Sequence, residues 1–200
     1  MGLKMDSFQT FLLYFLIIFV VYFILKAFLF YMQFGINPVY FLKSDSMFEL
    51  FSWLVLVAVL ISYAVVIIMF AFGYDLGLSF RFLDYAYTDI SGIIIIVLGF
   101  LVMVFAHANM GRHWRMGIDR EKNIKLVTAG LFSISRNPVY VGIMIQAFGL
   151  FLVMKTLLSV VLLVILCLAF LMVVYTEEAF LEKRFGKEYL NYKKNVRRFL

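Results

Sequence analysis

Five stretches of this chain run for 17 to 23 residues with at most one charge: Phe11–Met32, Leu50–Phe72, Ile90–Ala108, Pro138–Met154 and Thr156–Tyr175. A helix needs about 20 mostly apolar residues to cross the ~30 Å hydrocarbon layer of a bilayer. The pattern therefore predicts about five transmembrane helices, the fourth of them short. Lys155 and its neighbours are all that separates the last two, which predicts a tight helical hairpin. Read as one rod, Val139–Tyr175 would extend ~55 Å at 1.5 Å per residue, nearly twice the layer. The polar positions gather in two places, Gly111–Tyr140 and Thr176–Leu200. In the second, Phe180, Leu181 and Phe185 form an apolar stripe beside Glu182, Lys183 and Arg184. Gly186 marks a break, and Tyr189, Leu190 and Tyr192 resume the pattern, as in interfacial amphipathic helices packed beneath a bundle.

Composition fits the same picture. Hydrophobic residues make up 65% of the 200 and charged residues 15%, where a soluble domain is roughly half apolar and a quarter charged. The expected fold class is all-α, a polytopic membrane protein. Cys167 is the single cysteine, so neither an intramolecular disulfide nor a cysteine metal site can form, and His107 and His113 need carboxylate help to bind zinc. The expectation is no metal and no nucleic acid, the net charge of +6 following from topology instead. The first apolar run is too long for the core of a cleavable signal peptide. No internal repeat supports an inverted-repeat transporter, and no span carries an acid or histidine near its middle, which argues against a pump or channel.

Lysine and arginine orient the bundle. With five spans, one face receives Lys43, the loop cations Arg112, Arg115, Arg120, Lys122, Lys125 and Arg136, and the tail cations Lys183, Arg184, Lys187, Lys193, Lys194, Arg197 and Arg198. The other holds Lys4, Arg81 and Lys155, and Lys26 lies near the basic end of its helix. By the positive-inside rule the basic face is cytoplasmic and the N-terminus outside. The aromatic loop Gly73–Asp89 fits an interfacial belt.

Any chemistry belongs on the basic face, where the hairpin brings Arg136-Asn137-Pro138 and Glu177-Glu178 to similar depth. Asn137 and Pro138 read as a helix start, cap and first residue. Arg136 and Tyr140 read equally as interfacial anchors or as site residues. Glu177 and Glu178 close an uncharged helix, where negative charge opposes the helix dipole. Side chains of adjacent helical residues diverge by about 100°, so one can face the interior and the other water. The inward acid calls for a cation, either Arg136 or a cationic ligand.

The run LVTAGLFSISRNPVYVG (Leu126–Gly142), followed by EEAFLEKRFGKEYLNYKKNV (Glu177–Val196), resembles the isoprenylcysteine carboxyl methyltransferase and phospholipid methyltransferase superfamily. Gly111, Trp114 and Gly117 look like that family's preceding loop. The resemblance covers roughly residues 109–198 and divides the chain into three N-terminal spans, 1–108, and a methyltransferase-like region, 109–200. It implies S-adenosylmethionine-dependent methyl transfer to a lipophilic small-molecule or lipid substrate entering from the bilayer. By position, the family's cofactor contacts fall on Gly117, Ile124, Lys125, Leu126, Val127, Phe132, Asn137, Pro138, Val139, Tyr140, Glu177 and Glu178. Arg136, Tyr140 and Glu178 are the residues expected to take part in catalysis. A glutamate suits the cofactor's sulfonium and ammonium, and Arg136 or free N–H groups near Pro138 suit its carboxylate. An amine or thiol acceptor needs a base, Glu178, Tyr140 or water, whereas a carboxylate does not.

Two positions depart from the prenylcysteine enzymes. Asn137 replaces their usual histidine and cannot titrate. Val173 replaces an arginine that meets the substrate carboxylate, so a prenylcysteine acceptor loses its expected partner. Sterol reductases that use NADPH share an Arg-x-Pro-x-Tyr segment. They differ in carrying an Arg-Asp pair, and Cys before Lys-Tyr-Gly, where this chain has Glu177-Glu178 and Arg184-Phe185-Gly186. A reductase of that type and a non-enzymatic membrane protein are the alternatives.

Overall fold

The computed structural model describes residues 5–44, 46–80, 83–118, 120 and 125–200, the side chain of Ala86 excepted. Of the positions singled out above, Ile124, Lys4, Arg81 and Lys122 lie outside the described residues. Among the described residues six α-helices follow one another: α1 (Ser7–Phe34), α2 (Met47–Ala71), α3 (Ala86–Met110), α4 (Pro138–Met154), α5 (Leu157–Phe185) and α6 (Lys187–Asn195). The chain is an all-helical polytopic membrane protein. Helices α1, α2, α3 and α5 are long and apolar enough to cross a bilayer. The fourth expected span is a shorter apolar helix of 17 residues, ~25 Å at 1.5 Å per residue. Many large apolar side chains stay exposed, among them Ile17, Val21, Ile61, Ile94, Leu98 and Leu168, as lipid-facing positions do.

Helix α4 sits against α3 at backbone distance. A Cβ added to Gly99 would lie 2.6 Å from the Gly142 carbonyl oxygen, and one added to Gly149 2.7 Å from that of Gly92. The two antiparallel helices thus meet through two glycine pairs, seven residues apart on each. Small residues let helix backbones approach closely where lipid supplies no hydrophobic drive between helices. On the other side of α4, α5 contributes Leu166, Ala169, Phe170 and Val173, all essentially inaccessible. Helix α1 leans on α3 through an aromatic ladder, with Phe15, Phe19 and Tyr22 packed around Phe100 at centroid distances of 5.8, 6.5 and 5.4 Å.

The expected hairpin forms. Lys155 takes a left-handed conformation (φ 52°) after α4, and Thr156 caps α5 reciprocally with Ser159. The turn is tied to the preceding loop by Phe80 N–H donating to Lys155 O and Leu157 N–H to Leu78 O, at 2.7 and 2.8 Å. Helix α5 differs from expectation in length: it does not stop near Tyr175 but continues to Phe185. Glu177 and Glu178 therefore lie inside a helix, about two turns before its end, and not at the negative pole of its dipole as expected. The apolar stripe Phe180, Leu181 and Phe185 keeps this extension packed under the bundle. Gly186, at φ 53°, turns the chain into α6, where the sequence marked a break.

Candidate functional site

The segment before α4 is fixed from two sides. Above, the Asn109 side chain accepts from Leu131 N–H at 2.8 Å. Below, the C-terminal tail pairs with it: Arg136 N–H donates to Arg197 O at 2.9 Å, and the Tyr192 hydroxyl to Phe132 O at 2.6 Å. Gly117 is held against the loop after α1. Met116 and residues 38–41 exchange backbone hydrogen bonds, and a Cβ on Gly117 (φ 99°) would collide with the Phe41 backbone. Glycine is thus required there twice over, by conformation and by space.

The two adjacent glutamates have separate partners. Glu178 is buried at 5% exposure and bracketed by two guanidinium groups. Arg136 donates to its Oε1 from Nε at 3.1 Å and Nη2 at 2.9 Å, and Arg198 donates to Oε2 from Nη2 at 2.9 Å. Arg136 spends its remaining nitrogen on the Lys193 and Val196 carbonyls, 3.2 and 2.6 Å away. The carboxylate holds the Arg198 guanidinium well charged, its pKa raised. Glu177 instead accepts from the Tyr140 hydroxyl at 2.9 Å, and no described cation lies within ion-pair distance of it. The cation-seeking acid of the sequence is thereby resolved: Glu178 takes Arg136, and Glu177 is left without one.

Two cavities meet at this point. A lower one of about 160 Å³ opens on the basic side and is lined by Gly117, Lys125, Leu126, Val127 and Phe132 together with Arg136, Asn137, Glu177 and Glu178. An upper one of about 430 Å³ runs between α1 and α2, lined by Phe19, Phe23, Trp53, Leu56 and Tyr140 among others. Phe132, Arg136, Asn137 and Glu177 line both. The structure thus brings all the described sequence-predicted residues to this junction, with Pro138, Val139 and Tyr140 on the upper side only. Asn137 does occupy the α4 cap position, but its side chain makes no cap bond. It donates to the Arg198 carbonyl at 3.0 Å instead, so the first N–H groups of α4 keep their capacity for an anion. Val173 is fully buried in the bundle core.

Several residues of the junction escaped the sequence reading. Tyr189 lines the lower cavity, buried, with its hydroxyl beside the Arg136 guanidinium. Burial pushes the phenols of both Tyr189 and Tyr192 up, the latter to about 12, so both remain protonated donors. Trp53 lines the upper cavity, and its Nε1 has no hydrogen-bond partner among the described residues. The Tyr22 hydroxyl lies 2.9 Å from Nδ1 of the buried His107, also on the upper wall. Glu49, at 2% exposure, pairs with Arg120 at 2.6 Å. The only signal for Arg198 was its place in a basic tail. Among the described residues no group of histidine, cysteine and acidic side chains could hold a metal.

The phospholipid methyltransferase family matches residues 87–188, from α3 to the start of α6. The chain belongs to that family. It is also similar to a probable protein-S-isoprenylcysteine O-methyltransferase of rice, Oryza sativa, in both the indica and japonica subspecies, at 28% identity over 123 residues. That match covers 56% of this chain and 61% of the rice protein. Protein-S-isoprenylcysteine O-methyltransferase B of Arabidopsis thaliana is 30% identical over 115 residues, 52% of this chain and 55% of its own. The chain thus spans about six-tenths of the length of these curated relatives. No solved structure matches it. The family match begins on α3 and includes both glycine pairs, so it embraces the α3–α4 interface as well as the motif below it.

Proposed function

We propose that this protein is a membrane methyltransferase that uses S-adenosylmethionine on its cytoplasmic face and methylates a lipophilic acceptor arriving from the bilayer. The observation that carries the reading is the junction itself. A polar-lipped cavity on the basic side and an apolar cavity between α1 and α2 share Glu177, Asn137, Arg136 and Phe132. One carboxylate there, Glu177, has no cation of its own among the described residues. The family membership and the plant relatives' names support the same chemistry, and the basic side chains support the cytoplasmic assignment.

The residues present fit the cofactor. Bound, it would supply an electrophilic methyl group on a cationic sulfur. Glu177 would face the cofactor's positive charge, while the uncapped start of α4 would hold its carboxylate. Arg136 and Glu178 neutralise one another, so their role in this reading is to position Asn137 and the α4 start. Tyr140 donates to Glu177 and fixes its orientation. The apolar wall excludes water and aligns the acceptor, the main contribution a protein makes to a displacement at carbon. The acceptor would take that methyl group by displacement, with the thioether as leaving group. An amine or thiol acceptor also gives up a proton, and Glu177 is the carboxylate placed to receive it. A carboxylate acceptor would meet Val173 where the prenylcysteine enzymes carry arginine.

The test is incubation of the purified protein with methyl-labelled S-adenosylmethionine and native membrane extract. The expected result is a labelled lipid-phase product, absent with Glu177→Ala. Absence of calorimetric heat with either the cofactor or S-adenosylhomocysteine would overturn the reading.

A further inference from the structure

The chain after α6 returns beneath the motif and is tied to it at successive residues. The Arg136 guanidinium donates to Val196 O at 2.6 Å, and Arg136 N–H to Arg197 O at 2.9 Å. One residue further on, the Arg198 carbonyl accepts two side chains of the motif, Asn137 Nδ2 at 3.0 Å and Ser135 Oγ at 3.4 Å. Ser135 Oγ in turn accepts from Asn137 N–H at 3.1 Å. Asn137 is therefore held through both its backbone and its side chain.

The consequence falls on α4. Pro138 has no N–H, and Val141 N–H donates to Asn137 O at 3.1 Å. Val139 and Tyr140 remain, and neither N–H has an acceptor among the described residues. An asparagine at the cap position ordinarily turns its side-chain oxygen onto the N–H of the second or third helical residue, which here are these two. Asn137 does not. Its backbone (φ −132°, ψ 52°) is not the extended one of a cap, and its amide is spent on the tail. A cap bond and a bond to the tail are of similar worth, so Asn137 has two arrangements and the tail selects between them. We propose that Val196–Arg198 is a strap with two positions: docked, it holds Asn137 away from α4 and leaves the Val139 and Tyr140 N–H groups open, and released, it lets Asn137 cap the helix and close them. The strap is free to leave, because the Arg198 side chain is 43% exposed and Glu178 keeps its bond to Arg136 without it. The effect on the cofactor's carboxylate rests on the function proposed above, and the effect on α4 does not.

The experiment reads amide hydrogen exchange at Val139 and Tyr140 by NMR in detergent, with no ligand present. A chain stopped after Val196 lacks both strap carbonyls, and one of the two amides should exchange about fivefold more slowly than in the unaltered protein, the worth of one hydrogen bond. Asn137→Ala in the stopped chain should restore fast exchange, because alanine cannot cap. Arg198→Ala, which keeps the carbonyl, should leave exchange unchanged. In the full chain, Asn137→Ser stops one bond short of the Arg198 carbonyl but still caps, and should show the same slowing, so the test stands even if the stopped chain does not fold. Exchange as fast in the serine variant as in the unaltered protein overturns the inference. So does slowing in the stopped chain that survives Asn137→Ala, or equal slowing with Arg198→Ala. Calorimetry adds the cofactor side: the stopped chain should bind S-adenosylhomocysteine about tenfold more weakly and its decarboxylated analogue as before, and equal weakening of both would mean that the strap shapes the whole cavity instead of Asn137. If neither ligand binds the unaltered protein, the proposed function fails while the exchange data still decide the strap.

Discussion

The Tyr140 hydroxyl donates to Glu177 at 2.9 Å across the mouth of the α4–α5 hairpin, from one turn into α4 to two turns before the end of α5. That bond holds a carboxylate at the junction of two cavities without neutralising it. Glu177→Gln keeps a side chain that can accept from Tyr140 and removes the charge. A charged hydrogen bond is worth about 1.5–3 kcal/mol, so affinity for S-adenosylmethionine should fall roughly ten- to hundredfold. The loss should be smaller for S-adenosylhomocysteine, which lacks the sulfonium charge. Unfolding temperature should hardly change. Calorimetry with both ligands checks this.

The neighbouring glutamate should behave in the opposite way. Glu178→Ala leaves the Arg136 guanidinium, whose side chain is 8% exposed, buried without its counter-charge. Removing one partner of a buried pair costs about 3–5 kcal/mol. Arg198 is 43% exposed, and Arg198→Ala should cost well under half of that. Thermal unfolding in detergent separates the two. A Glu178 variant as stable as the unaltered protein would show that the Arg136–Glu178–Arg198 cluster does not hold the tail against the α4 start.

Sequence and structure part company where a property depends on two segments at once. Five apolar runs were legible because each is judged alone against the thickness of a bilayer. Arg136, Asn137 and the two glutamates were legible because the hairpin forces them to one depth. Which glutamate Arg136 takes was not, because it depends on helical phase and on the tail returning Val196 and Arg198 beneath the motif. The continuation of α5 past Thr176 was hidden for a related reason. Its charges ended the hydropathy signal, while Phe180, Leu181 and Phe185 kept the helix packed. Gly92, Gly99, Gly142 and Gly149 lie in apolar runs where single glycines look incidental, and only the register of α3 on α4 makes them pairs.

That register makes a sharp prediction. Gly142→Leu must place a side chain where the Met103 N–H and Gly99 carbonyl lie 2.7 and 2.8 Å from a Cβ. Backbone, not a flexible side chain, would have to move, so the helices must separate. Overpacking costs about 1–3 kcal/mol and can exceed that. The expected outcome is a lower unfolding temperature and a lost site, since α4 carries Asn137 and Tyr140. Leucine at Ile94, exposed on the same α3 helix, serves as the control and should be neutral.

The far end of the hairpin gives the last prediction. Lys155 Nζ lies 3.1 Å from Asp84 Oδ1 and 2.9 Å from Asp89 Oδ1, with its own side chain 10% exposed. Burial disfavours the ammonium, but the hydrogen bonds and charges of Asp89 and Asp84 outweigh it, and its pKa is raised above 10.5. A raised cationic pKa contributes stability that is fully present below the unfolded value and lost as pH rises through the folded one. Stability from this cluster should therefore be flat across neutral pH and decline only in strong alkali. Lys155→Met keeps a non-glycine residue at positive φ and leaves Asp89, 13% exposed, without its cation, at a cost of about 1–3 kcal/mol. Lys155→Gly loses the same pairs but relieves the left-handed backbone, so it should unfold at a higher temperature than the methionine variant. The order glycine above methionine, both below lysine, separates backbone strain from charge pairing. Methionine at or above glycine would mean that the left-handed conformation costs the turn nothing.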